Sequence, residues 1–198
     1  MKYSVKTQDQ YTLMPWKNGL GVTCELARQS IDGSDSDFLW RVSVADVSED
    51  GPFSPYPEHM RIISTLTGSG IRLDVDGKIS PDIGQYDLFS FSGASAVSST
   101  LLDGSIKDFN VIYKPAGCSV RVQWAKVCDK VSFLSQASIA LVYAVNPVTV
   151  ALGEERVSVD LGATFICDND TRELLAYSVA SDNDKTESPC CFIEIFLN

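Results

Sequence analysis

What most constrains this chain is the rhythm of its apolar runs. Short stretches rich in Val, Ile, Phe and Tyr recur from end to end, each closed by Gly, Pro, Asn or Asp about every ten residues. Helix-period segments are scarce. Within 39–44, Trp40, Val42 and Val44 share one face while Arg41 and Ser43 share the other, the period-two alternation of a strand. Residues 71–75 alternate in the same way, and the Asp76-Gly77 that follows is a two-residue hairpin signal. Further strands are predicted over 62–66, 86–91, 109–113, 119–124, 139–145, 156–160, 164–167, 174–179 and 191–196. A chain punctuated like this folds as an all-β barrel or sandwich.

A weak internal repeat adds an organisation. Residues 77–84 align on 155–162: each copy carries a basic residue, an apolar-Ser pair and Asp-apolar-Gly before the next strand. The repeat predicts two stacked β units, 1–100 and 101–198, with a seam in the small-residue stretch around 92–105. That stretch is too short and apolar for a free linker, so the units are expected to share a core. With 198 residues and 44% hydrophobic composition, there is enough apolar surface to build one.

Charge narrows the partners. The chain has 16 Lys+Arg against 26 Asp+Glu, a net charge of −10, which argues against nucleic acid and anionic membranes. No apolar run suits a signal peptide or a spanning helix, so a soluble cytoplasmic protein is expected. The six cysteines form no C-x-x-C and read as small buried hydrophobes in a reducing compartment. The single histidine, His59, excludes sites that need two or three imidazoles from one chain, and with them most catalytic zinc and non-haem iron centres. No metal and no cofactor are expected.

Three segments carry the candidate chemistry. In 14–25, Trp16-Lys17-Asn18-Gly19 forms a backbone-exposing turn in which Lys17 and Asn18 present a cation and an amide; a solvated reverse turn is the alternative. The stretch matches no phosphate-loop or dinucleotide fingerprint. In the second segment, Pro52, Pro55 and Pro57 pre-order a loop carrying Phe53 and Ser54 and deliver His59 and Arg61 to the next strand. A planar guanidinium there is a candidate carboxylate fork; pairing with a surface acid is the alternative. In the third segment, Asp108 and Asn110 share a strand face opposite Phe109 and Val111, suited to orienting a polar ligand or Arg61, with turn duty as the alternative.

On Met14-Pro15-Trp16-Lys17-Asn18-Gly19, Trp40-Arg41-Val42-Ser43, Asp50-Gly51-Pro52-Phe53-Ser54 with Pro57 and Arg61, and Leu102-Asp103-Gly104 with Asp108-Phe109-Asn110, the chain resembles the HutD/Ves family of bacterial cupin-like proteins. The likeness spans roughly residues 12–115. It implies a double-stranded β-helix (an RmlC-like jelly roll) with two cupin units in one chain, a bicupin. It also implies a role around histidine utilisation, restraining the pathway by binding an intermediate such as N-formylglutamate or urocanate, or a Ves-type role in stress response. The family usually places glycine where Glu58 stands, and a carboxylate beside an anion site is expected to repel an anionic ligand. Self-association, where it occurs in the wider superfamily, implies a homodimer.

Together these readings predict a non-enzymatic, metal-independent protein binding a small carboxylate metabolite. Arg61 is the charge-recognising group and Lys17 adds potential. Asn18, Asp108 and Asn110 supply hydrogen bonds, Trp16, Trp40 and Phe53 are apolar walls, and Arg41, Ser43 and Ser54 are further contacts. Two rivals stand beside it: a metal-independent isomerase or epimerase with His59 as base oriented by Asp108, and a regulatory module whose acidic surface engages a protein.

Overall fold

The computed structural model describes residues 2–16, 21–31, 33, 37–181 and 187–198. Apart from a 3-10 turn at Gln8–Gln10, every regular element among them is a strand. In chain order these are β1 (Lys2–Lys6), β2 (Thr12–Pro15), β3 (Gly21–Ser30), β4 (Phe38–Val47), β5 (Gly51–Pro52), β6 (Met60–Thr67) and β7 (Ile71–Val75). There follow β8 (Lys78–Ile79), β9 (Phe89–Ser92), β10 (Val97–Leu101), β11 (Ile106–Tyr113), β12 (Cys118–Val127) and β13 (Lys130–Ser135). The last are β14 (Ile139–Ala144), β15 (Val148–Leu152), β16 (Glu155–Val159), β17 (Thr164–Asp168), β18 (Leu175–Ser181) and β19 (Ser188–Leu197).

The strands form two compact units, Tyr11–Cys118 and Ser119–Asn198 with the first ten residues. The boundary therefore falls later than the expected 100/101, and 92–105 is no seam. The reason is pairing: β11 is a central strand between β4 and β6, so it cannot leave the N-terminal unit. β1 conversely crosses to the C-terminal unit by pairing with β17.

In the N-terminal unit a six-stranded sheet, β2-β3-β4-β11-β6-β9, faces a four-stranded one, β5-β10-β7-β8. Val47, Ile63, Phe91 and Ile106 of the first pack against Ile71, Leu73 and Val97 of the second. The C-terminal unit repeats the plan with β1-β17-β14-β19-β12 and β13-β18-β15-β16. The repeated segments 77–84 and 155–162 begin with β8 and β16, each the outer strand of a hairpin at the edge of its four-stranded sheet. Asp76 and Gly77 both have positive φ (53° and 79°), so the predicted hairpin closes as a type I′ turn whose twist matches its strands.

One close approach positions the site. A Cβ on Gly93 would lie 2.4 Å from the Tyr56 carbonyl oxygen, and the Gly93 N–H and C=O bond His59 O (2.8 Å) and Tyr56 N (2.7 Å). Only a glycine lets the proline-rich loop dock on the end of β9. Of the six cysteines, Cys118, Cys167, Cys190 and Cys191 are buried as expected, while Cys24 is half-buried and Cys128 exposed; none is in a disulfide.

Candidate functional site

Strand register places the site on the inner face of the six-stranded sheet. Residues directly opposite in an antiparallel pair share a face. One row runs Phe91, Arg61, Ile112, Arg41 and Arg28 across β9, β6, β11, β4 and β3. The next row inward runs Phe89, Ile63, Asn110, Ser43 and Glu25, and the third carries Thr65, Asp108, Ala45 and Thr23. Since Ile63 and Ile106 on this face pack against the four-stranded sheet, the polar groups beside them point into the barrel. Its interior is apolar at the Val47 and Ile106 end and polar at the Arg61 end.

Arg61 is 7% exposed. Its Nη2 donates to Asn110 Oδ1 at 2.9 Å and its Nη1 to the Ser54 carbonyl at 3.3 Å. The guanidinium carbon lies 4.7 Å from the Phe53 ring centre, 5.1 Å from Phe91 and 5.7 Å from Tyr56, a three-sided aromatic cage. Arg61 Nε has no hydrogen-bond partner among the described residues, and the guanidinium makes no ion pair among them. Burial depresses its pKa to about 10, against the pull of Asp108 and Tyr56 and helped by like-charge repulsion from Arg41, so the group stays cationic at neutral pH.

Arg41 also approaches Tyr56. Its guanidinium lies 4.9 Å from the Phe38 ring and 5.1 Å from the Tyr56 ring, and its Nη2 donates to the Tyr56 hydroxyl at 3.0 Å. Tyr56 thus contacts both arginines. Behind them, Asp108 is 3% exposed; burial raises its pKa to about 6, opposed by a hydrogen bond from Asn110, the charge of Arg61 and the Ala45 N–H. Asp108 Oδ1, Arg41 Nε and Glu25 Oε2 are buried without partners among the described residues. Such unmet polar atoms cost about 1–3 kcal/mol each unless something satisfies them.

The structure therefore brings Arg61, Arg41, Ser43, Asp108, Asn110, Phe53 and the Ser54 carbonyl together. It separates Trp40, which sits on the opposite face of β4 and donates its indole N–H to Gln29 Oε1 at 2.9 Å, so it is not a wall of this site. Trp16 lies at the inner end, its N–H on Thr23 Oγ1 at 2.9 Å. Lys17 and Asn18 fall outside the described residues. Sequence reasoning missed Tyr56, Phe91 and Glu25. Tyr56, flanked by two prolines in a loop already singled out, was the one with a readable signal.

The rival base-acid pair does not form. Both ring nitrogens of His59 face backbone carbonyls, Nδ1 on Pro57 O at 2.8 Å and Nε2 on Phe38 O at 3.2 Å. Asp108 lies opposite Thr65, six positions further along the chain, about 20 Å away at strand rise. His59 is a structural residue wedged against Phe38 and Tyr56. Nor does Glu58 face the site: its side chain is 81% exposed, 3.8 Å from Lys114 Nζ, at a backbone φ of 66° that glycine favours. A cleft of about 360 Å³ at the Val47 end holds one carboxylate, Asp46, which pairs with Lys107 at 2.6 Å.

Many cupin-type folds hold a metal on several imidazoles. Here the sole imidazole is committed to two carbonyls, and no cluster of three His, Cys, Asp or Glu exists among the described residues, so the donor set does not fit one. No helix among the described residues is long and apolar enough to cross a membrane.

Fold and interior define an all-β, cupin-type protein with an arginine-centred polar interior in its N-terminal unit. The model of the HutD family matches residues 8–183. The chain belongs to the HutD family. It is 45% identical over 142 residues, 72% of the chain and 73% of the relative, to an uncharacterized 21.2 kDa protein in the hutC 3′ region of Pseudomonas putida. It is 27% identical over 161 residues to the protein Ves of Escherichia fergusonii, covering 81% of each. Among solved structures, HutD from Pseudomonas fluorescens, described in a formate condition, is 34% identical over the full length of both chains with a TM-score of 0.83. The bacterial protein YhhW of Escherichia coli, 8% identical with a TM-score of 0.69 over 98% of this chain and 97% of that one, shares the fold alone.

Proposed function

We propose that the N-terminal barrel binds a small carboxylate-bearing metabolite and that the protein acts as a non-enzymatic sensor around histidine degradation, with N-formylglutamate or urocanate as candidate ligands. The observation that carries this is Arg61: a buried guanidinium, caged by Phe53, Tyr56 and Phe91, with an unmet N–H and no carboxylate in direct contact among the described residues. A planar cation in an apolar cage is suited to a bidentate carboxylate, and the second guanidinium of Arg41 adds potential at the same end. The hut designations of two relatives support the pathway. The repeated strand order supports reading the chain as two cupin units.

Isothermal titration with formate, N-formylglutamate and urocanate tests this. Binding to the wild type that is lost in Arg61→Ala, with the melting temperature retained, is the expected result. Equal affinity in the variant overturns the assignment.

A further inference from the structure

We propose that Asp108 is the proton-linked partner of Arg61, so that an anion engaging Arg61 draws a proton onto the Asp108 carboxylate and binds more tightly as the medium is acidified. The proposal rests on the reading above that Arg61 holds the ligand's anionic group.

Asn110 provides the link. Its Oδ1 accepts from Arg61 Nη2 at 2.9 Å, which turns its NH2 toward Asp108, and that carboxylate accepts from it. Asp108 and Asn110 lie on one face of β11, 3% and 5% exposed, so neither meets bulk water. Asp108 keeps its charge on two N–H donors and the nearby guanidinium, with Oδ1 unpartnered among the described residues.

The surroundings offer little else to hold that charge. From β4, Ala45 lies opposite and donates its N–H, Asp46 adds negative potential, and Ser43 and Arg41 lie further toward the Arg61 row. From β6, Thr65 lies opposite, but its hydroxyl is spent on the Ile83 carbonyl at 2.7 Å. From β3, Thr23 takes the Trp16 N–H, and Glu25 pairs with Arg28 at 3.5 Å. Lys107 is on the other face of β11, 2.6 Å from Asp46. The facing sheet contributes Ile71, Leu73 and Val97.

An anion on Arg61 changes two things at once. It neutralises the guanidinium charge that helps to keep Asp108 ionised, and it adds a second negative charge in a low-dielectric interior. Two anions sharing one arginine resolve the conflict when one takes a proton. Burial already holds Asp108 at about 6, within reach of neutral pH. The bound-state value is raised above the free one, so affinity is full below about pH 6 and is lost by up to tenfold per pH unit as pH rises toward the bound-state value.

The test uses sodium formate, which does not itself titrate near neutrality. Calorimetry of the wild type at neutral pH in two buffers of different ionisation enthalpy is expected to show a substantial fraction of a proton taken up per formate. Affinity should weaken with rising pH, and both effects should vanish in Asp108→Asn. Binding without proton uptake overturns the proposal and leaves the anion-site reading intact. A ligand-free arm decides the linkage even where formate does not bind, an outcome that would sink the anion-site reading. Carbon-13 NMR of the Asp108 carboxyl should show a higher titration midpoint in Arg61→Met than in the wild type; equal midpoints overturn the proposal.

Discussion

The two units share a strand order and oppose each other in what they enclose. In the C-terminal unit β17-β14-β19-β12 follow one another as β9-β6-β11-β4 do in the N-terminal unit. Beside the row Phe91, Arg61, Ile112, Arg41 can be set Cys167, Ala140 and Glu194, opposite one another on β17, β14 and β19, with Arg121 of β12 bonded to Glu194. Where the first row sets two arginines against an isoleucine, the second gives one arginine its own carboxylate: Glu194, with no exposed surface, accepts from both Nε and Nη2 of Arg121. Phe192 and Cys190 follow on the Glu194 face of β19, as Asn110 and Asp108 follow on the Ile112 face of β11, and Phe192 stacks on Phe133 with ring centres 4.3 Å apart. One fold thus holds an arginine paired with a buried carboxylate in one unit and, in the other, a buried arginine that makes no ion pair among the described residues.

The largest expected effect breaks the closed side. Arg121→Met strands the buried Glu194 carboxylate and should lower unfolding stability by about 3–5 kcal/mol in a urea titration while leaving formate affinity unchanged. A loss under about 1 kcal/mol would mean that the C-terminal row is not closed by this pair. On the open side, Arg61→Met should weaken carboxylate binding by about 100-fold, near 2.7 kcal/mol, with little loss of stability because a desolvated charge is removed with it.

Transplanting the closed arrangement sharpens the contrast. Ile112→Glu places a carboxylate opposite Arg41 and Arg61, as Glu194 serves Arg121. It should block formate uptake in calorimetry with the melting temperature held; retained binding would show that the two rows are not equivalent. Asp108 adds a pH signature. Its folded value is raised from 3.8 to about 6, so its contribution to stability is full below pH 3.8 and is lost as pH rises through about 6. The wild type should lose on the order of 2–3 kcal/mol across that window relative to Asp108→Asn, read from paired denaturation curves. The smallest effect is at Glu58, whose φ of 66° strains a non-glycine residue. Glu58→Gly should raise stability by about 0.5 kcal/mol or less, the gain being offset by greater freedom of the unfolded chain.

Much of this is legible in the amino-acid sequence. Alternation in 39–44 placed Arg41 and Ser43 on one face of β4, and the same logic paired Asp108 with Asn110. Glycine and proline punctuation marked the loop that presents Phe53 and Ser54 to Arg61. Trp40 neighbours Arg41 in sequence, but alternation sets the two on opposite faces of β4, so it walls no part of the site. His59 could not be judged from spacing, because its role depends on Phe38 O, a chain-distant carbonyl. The unit boundary was missed because β11 is claimed by β4 and β6, pairings to which local composition is blind.

By itself the sequence determined that the fold is all-β, that its faces alternate, and that one imidazole cannot build a multi-histidine metal site, since each follows from local sterics or from counting. Tertiary structure alone decided which arginine has an in-chain carboxylate. Arg121 meets Glu194 across 73 residues of chain, while Arg61 meets Asn110 across 49 and keeps an unmet N–H. Burial and register set those contacts, and both are properties of the assembled sheets rather than of any segment within them.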